Sequence, residues 1–156
     1  MSGDRTPSLE PAAPILGRGG RHASSAQRLA ILYARLALGA AFLSAVASRF
    51  GLWRNGNDFA AFVRWTAEVN SFLPASFAPW LAGAATVAEI SCGTALLVGF
   101  QTRRAALASA ALLALFGTAM AISYGPKEPL DYSVFSASAA ALLLAVAAAA
   151  ERNGEA

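Results

Sequence analysis

The feature that most limits what this chain can fold into is a set of four apolar runs, at about residues 28–50, 78–100, 104–123 and 133–150. A bilayer's hydrocarbon core is about 30 Å thick, so a helix rising about 1.5 Å per residue crosses it in about 20 residues. Each run reaches that length, the fourth only just. In lipid a lone segment must satisfy its backbone polar groups internally, which makes each run a helix. The expected fold is therefore all-α, a four-transmembrane-helix bundle. Composition agrees: 56% of residues are hydrophobic and 13% charged, with a mean hydropathy of +0.50. A soluble domain is nearer about 45–50% apolar and about 25% charged, so the surplus apolar surface faces lipid.

The remaining sequence divides around these runs. Residues 1–27 are polar, rich in Gly and Pro and without periodicity, and read as a disordered basic tail. Residues 28–150 form the membrane domain and 151–156 a short second tail. "QTRR" between the second and third runs is a tight turn that makes those helices antiparallel neighbours. "YGPKEPLDY", between the third and fourth, stops helices with two prolines and a glycine. The long first connection holds "DFAAFVRWTAEVN", whose Phe59, Phe62, Val63, Thr66 and Val69 share one helical face, with Asp58 placed as N-cap. It reads as a short amphipathic helix, either lying on the bilayer surface or packed over the mouth of the bundle.

Charge gives an orientation. Arg5, Arg18, Arg21, Arg28, Arg103, Arg104 and Arg152 fall on one side, against Arg54, Arg64 and Lys127 on the other, with Arg49 at the boundary. The positive-inside rule then puts both termini in the cytoplasm. Phe50, Trp53, Trp80, Tyr124 and Tyr132 cluster at the opposite interface as half of an aromatic belt. The net charge of +3 comes largely from the tail beside the first span, which argues for orientation and lipid contact rather than nucleic-acid binding. "AVA" at 45–47 resembles a signal-peptide cleavage site, but the apolar stretch before it is long and Arg35 interrupts it.

One cysteine, Cys92, forms no internal disulfide, and one histidine, His22, supplies no multi-histidine metal site. No metal centre is expected. Two ionisable residues lie inside spans: Arg35, about 10 Å from one end of the first, and Glu89, about 16 Å from the same side in the second. Each is costly alone in lipid, so pairing Arg35 with Glu89 is the expected solution. That pair either bridges two helices or forms the polar floor of a small cavity in which Glu89 handles a proton or a ligand. Small residues around Glu89 (Ala85, Ala88, Cys92, Gly93) turn its face into the bundle, and Gly39, Ala40, Gly117, Ala121, Ser136 and Ser138 offer similar packing surfaces. Toward the other end of the spans, Arg49 and Asp131 are expected to form a partly buried pair.

Two segments carry a family likeness. "RLALGAAFLSAVASRF" (35–50) has an arginine, a glycine four residues on, an aromatic and a closing basic residue; "AEISCGTALLVGFQTRRAA" (88–106) has glutamate, small residues, an apolar run, Gly and a Thr-Arg turn. Over residues 28–123 the chain resembles the DoxX-like membrane proteins. Arg35, Gly39, Arg49, Glu89, Gly93, Gly99 and Arg103 stand at family-pattern positions, whereas the fourth span does not resemble the family's usual ending. The resemblance implies an inner-membrane subunit of a respiratory or sulfur-linked oxidoreductase assembly, as in thiosulfate:quinone oxidoreductase, or of complexes handling thiols or oxidative stress. It implies no cofactor intrinsic to the chain, a quinone as ligand, and a protein partner or a second copy. Glu89 and Arg35 are then the candidate catalytic residues, and Arg35, Gly39, Arg49, Glu89 and Gly93 the candidate quinone-binding set. The competing readings are a non-enzymatic scaffold or assembly factor, and a small-molecule or proton carrier.

Overall fold

The computed structural model describes residues 25–53 and 58–154. Helix α1 spans Ser25–Arg49, α2 Phe59–Val69, α3 Ala78–Val98, α4 Thr102–Tyr124, α5 Lys127–Asp131 and α6 Val134–Gly154; a 3₁₀ turn, Ala75–Phe77, leads into α3. Four helices are long and apolar enough to cross a membrane: α1, α3 with its leading turn, α4 and α6. The all-α four-span expectation holds. The expected tail falls outside the described residues up to 24, and residues 25–27 form the first turn of α1. At the other end α6 continues helical into the segment expected as the second tail.

Local sequence explains the boundaries. Pro79 sits in the first turn of α3, where its missing N–H costs nothing. Gly99 ends α3 at φ 81°, and Phe100 N–H donates to Ala95 O at 2.9 Å, the six-to-one bond of a glycine-terminated helix. Asp58 caps α2 by accepting from Ala61 N–H at 2.6 Å. The expected apolar face of α2 is the buried one: Thr66 and Val69 are buried and Phe59, Phe62 and Val63 half-buried, while Arg64 and Glu68 are exposed. This helix packs across the ends of α1, α3 and α4, which selects the mouth-covering arrangement. Ser123 Oγ donates to Val69 O at 2.6 Å and Tyr124 Oη to Glu68 Oε2 at 3.2 Å, so α4 holds the C-terminal half of α2 in place.

In the bundle, α1 packs most closely on α3 and α4 on α6. Glycines set both approaches. A Cβ at Gly39 would lie 2.9 Å from Gly93 O and 2.8 Å from Leu97 Cγ; one at Gly117 would lie 2.8 Å from Phe135 Cε1. Call the end that carries the Gly99–Gln101 turn the turn end and the end that carries α2 the mouth. The solid core fills the turn half: Ile31 and Leu38 from α1, Cys92 and Leu96 from α3, Ala106 and Ala110 from α4, Leu144 and Ala145 from α6. Cys92 is one of these packed side chains, buried and without a disulfide partner. Toward the mouth the helices leave space.

Candidate functional site

That space is a cavity of about 590 Å³, within the range of small-molecule sites. Leu38, Ala41, Phe42, Leu113, Phe116 and Ala137 make its deeper walls, and Trp65, Tyr124, Glu128 and Tyr132 surround the mouth. Arg49 and Glu89 also line it, and they form an ion pair.

Glu89 is 2% exposed. Its Oε1 accepts from Arg49 Nη2 at 2.8 Å, and Oε2 lies 2.6 Å from Nη1 with no N–H aligned on it. Arg49 Nη1 donates instead to Thr86 Oγ1 at 3.1 Å, and Thr86 passes its own proton to Ala82 O at 2.8 Å. The guanidinium also lies over the Phe62 ring, 3.6 Å from the centroid. So α2 presses the arginine from above while α3 takes its charge from the side. Two of its five N–H groups are committed to Thr86 and Glu89, which leaves donors for a bound molecule. The arrangement presents a buried, charge-neutral donor–acceptor unit at one end of an apolar chamber.

The expected Arg35–Glu89 pair does not form. Arg35 Nε donates to Leu96 O at 3.0 Å and its Nη2 to Leu97 O at 3.3 Å, so it caps the carbonyl end of α3. The reason is direction. Helical side chains lean toward their own N-terminus. Helix α1 runs toward the mouth and α3 away from it, so Arg35 leans to the turn end and Glu89 to the mouth. The two diverge, and Arg49, leaning inward from the last turn of α1, meets Glu89 instead. The expected Arg49–Asp131 pair does not form either: Asp131 ends the short helix α5 and pairs there with Lys127, both exposed.

Of the expected quinone-binding set, the structure brings Arg49 and Glu89 to the cavity. Gly39 and Gly93 lie in the α1–α3 contact, and Arg35 sits at the turn end against Gly99, where a Cβ would overlap its guanidinium. Of the mouth residues, Tyr124 and Tyr132 read from sequence as members of the aromatic belt and Glu128 as one of a group of solvated charges at the outer mouth, while Trp65 carried no signal. Thr86 carried a readable signal, since it precedes Glu89 by three residues on one helical face.

Comparison with curated proteins and with solved structures returned no match. The DoxX family model matches residues 30–123, which covers α1 to α4, including both members of the buried ion pair. This chain is an integral membrane protein and belongs to the DoxX family.

Proposed function

We propose that this protein is a membrane subunit of a redox complex and that its cavity binds a quinone. The observation that carries the reading is the placement of Arg49 and Glu89, a buried ion pair at the polar end of an otherwise apolar 590 Å³ chamber within the spans. A quinone ring is flat and lipophilic with carbonyl oxygens at its edge. The uncommitted N–H groups of Arg49 suit such a carbonyl, and Phe42, Trp65, Phe116 and Tyr132 offer the ring aromatic surface. Glu89 keeps the arginine in place and is the group able to exchange a proton with the bound ring. Electrons come from a protein partner carrying the redox centre. The basic residues around the turn end support a bacterial inner-membrane location with both chain ends in the cytoplasm.

The experiment is to purify the protein in mild detergent, extract its lipids and assay quinone, for the wild type and for Glu89→Gln. Quinone present with the wild type and lost from the fraction of the variant that stays helical and folded supports the reading. A wild-type protein that carries no quinone, and takes up none when it is added, overturns it and leaves the pair as a helix-bridging element of a scaffold.

A further inference from the structure

The mouth is the obvious way into the cavity, and it is partly covered, with Trp65, Tyr124 and Tyr132 still exposed there. Helix α2 lies across it, held by Ser123 on Val69 O, by Tyr124 on Glu68 and by the Arg49–Phe62 stack, and Trp65 of α2 lines the chamber from above. The side wall is different. Ala41 and Ala45 of α1 line the cavity and are nevertheless exposed. On α6, Ala141, Leu144, Ala145 and Ala148 are buried, but no residue from Val134 to Ala140 is. Helices α1 and α6 therefore pack toward the turn end and part toward the mouth, and the residues along the parted seam (Ala41, Ala45, Ala137) are small. The seam lies within two membrane spans, so it opens onto hydrocarbon.

The lining is graded as well. Its polar groups (Arg49, Glu89, Tyr124, Glu128, Tyr132) gather at the mouth, and beyond them toward the turn end the walls are Leu38, Phe42, Leu113 and Phe116. A molecule with a polar head and a long apolar tail fits in one direction only, head to the mouth. The tail has nowhere to continue at the turn end, where the core is solid.

We propose that the α1–α6 seam is a side portal to the bilayer, and that the ligand is a tailed, membrane-borne amphiphile whose head rests at Arg49–Glu89 and whose tail leaves through the seam. This rests on the quinone reading above and adds the route and the requirement for a tail. The seam admits ligands already dissolved in the membrane, and α2 lies over part of the head.

The test uses the full chain in lipid nanodiscs and two probes, a dimethoxy-methyl-benzoquinone without side chain and its decyl derivative. Binding is read as the quinone quenching that is lost in Trp65→Phe, since Trp65 lines the chamber. The variants are Ala41→Phe and, on the facing helix, Ala137→Phe; Ala84→Phe, exposed on α3 and away from the cavity, is the control. Ala41 and Ala137 also line the chamber, so a phenyl group there is expected to weaken both probes, and the decyl compound about tenfold or more beyond the loss seen with the tailless ring. Equal losses for both probes, or none for either, overturn the portal. Absence of site-specific quenching by both probes in the wild type overturns the quinone reading itself, a separate outcome. The two seam variants lie on different helices, so one that fails to fold leaves the other to decide.

Discussion

Arg49 on the last turn of α1 and Glu89 in the middle of α3 meet at 2.8 Å although they are forty positions apart in sequence. The pair is nearly enclosed, with side-chain exposures of 11% and 3%. Removing either member strands the other, which typically costs about 3–5 kcal/mol, whereas replacing both by apolar groups of similar volume often costs little. Glu89→Leu and Arg49→Met are each expected to lower stability strongly, and the double variant to be more stable than either single one. Unfolding in mixed micelles, monitored by circular dichroism, measures the cycle. Additive losses would show that the two charges are not coupled.

Arg35 makes its hydrogen bonds to main-chain carbonyls rather than to a carboxylate. Bonds from a charged donor are worth about 1.5–3 kcal/mol, so Arg35→Ala is expected to destabilise the bundle by about 2 kcal/mol. Gly99→Ala suffers twice, from φ 81° and from overlap with the Arg35 guanidinium. In an Arg35→Ala background only the backbone strain of about 1–2 kcal/mol remains, so the two substitutions combine less than additively. The same micelle assay reads the difference.

Two glycines predict opposite outcomes. Gly39→Ala places a methyl within 3 Å of Leu97 and of a main-chain oxygen, and overpacking of this kind costs about 1–3 kcal/mol. Gly83 has nothing within 4 Å of its would-be Cβ, so Gly83→Ala is expected to be neutral or to stabilise by up to about 1 kcal/mol through helix propensity. A thermal melt in detergent that moved both variants the same way would contradict this account of α1–α3 packing.

Asp58→Ala removes the cap of α2 and is expected to cost that helix about 1 kcal/mol, with Asp58→Asn close to neutral. Hydrogen exchange at the first-turn amides of α2 is the sensitive readout. Protection there should fall in the alanine variant while α3 and α4 stay unchanged.

Most of the architecture was legible in the linear chain because it depends on quantities that can be counted: run length, the apolar period of α2, the shortness of the "QTRR" connection. Glu89 stood out because a carboxylate in an apolar run needs a partner. Its partner was misassigned because depth counting treats a side chain as a point on the helix axis. Once the opposite lean of antiparallel helices is included, Arg35 moves away from Glu89 and Arg49 moves toward it. The mouth was harder to see. Trp65, Tyr124, Glu128 and Tyr132 come from three separate pieces of the fold, α2, the end of α4 and α5 with its C-cap, and no one of them alone marks a site. Only the placement of α2 over the bundle brings them together.

The cap that Arg35 places on α3 also bears on the order in which the chain enters its membrane. Helix α1 is synthesised before α3 and, beyond Arg28 in its first turn, carries two guanidinium groups, Arg35 and Arg49, whose hydrogen-bond partners Leu96, Leu97, Thr86 and Glu89 are all on α3. An arginine exposed to lipid costs up to about 2.5–3.5 kcal/mol at the centre of a span and less toward its ends, so α1, through Arg35 above all, gains by waiting beside the translocon until α3 follows. The expectation is that α1 and α3 partition into lipid together. Crosslinking of arrested nascent chains would measure it: α1 should stay next to the translocon until α3 has emerged, and in the Arg35→Leu, Arg49→Leu chain it should depart early. Release of wild-type α1 before α3 appears would count against this order of assembly.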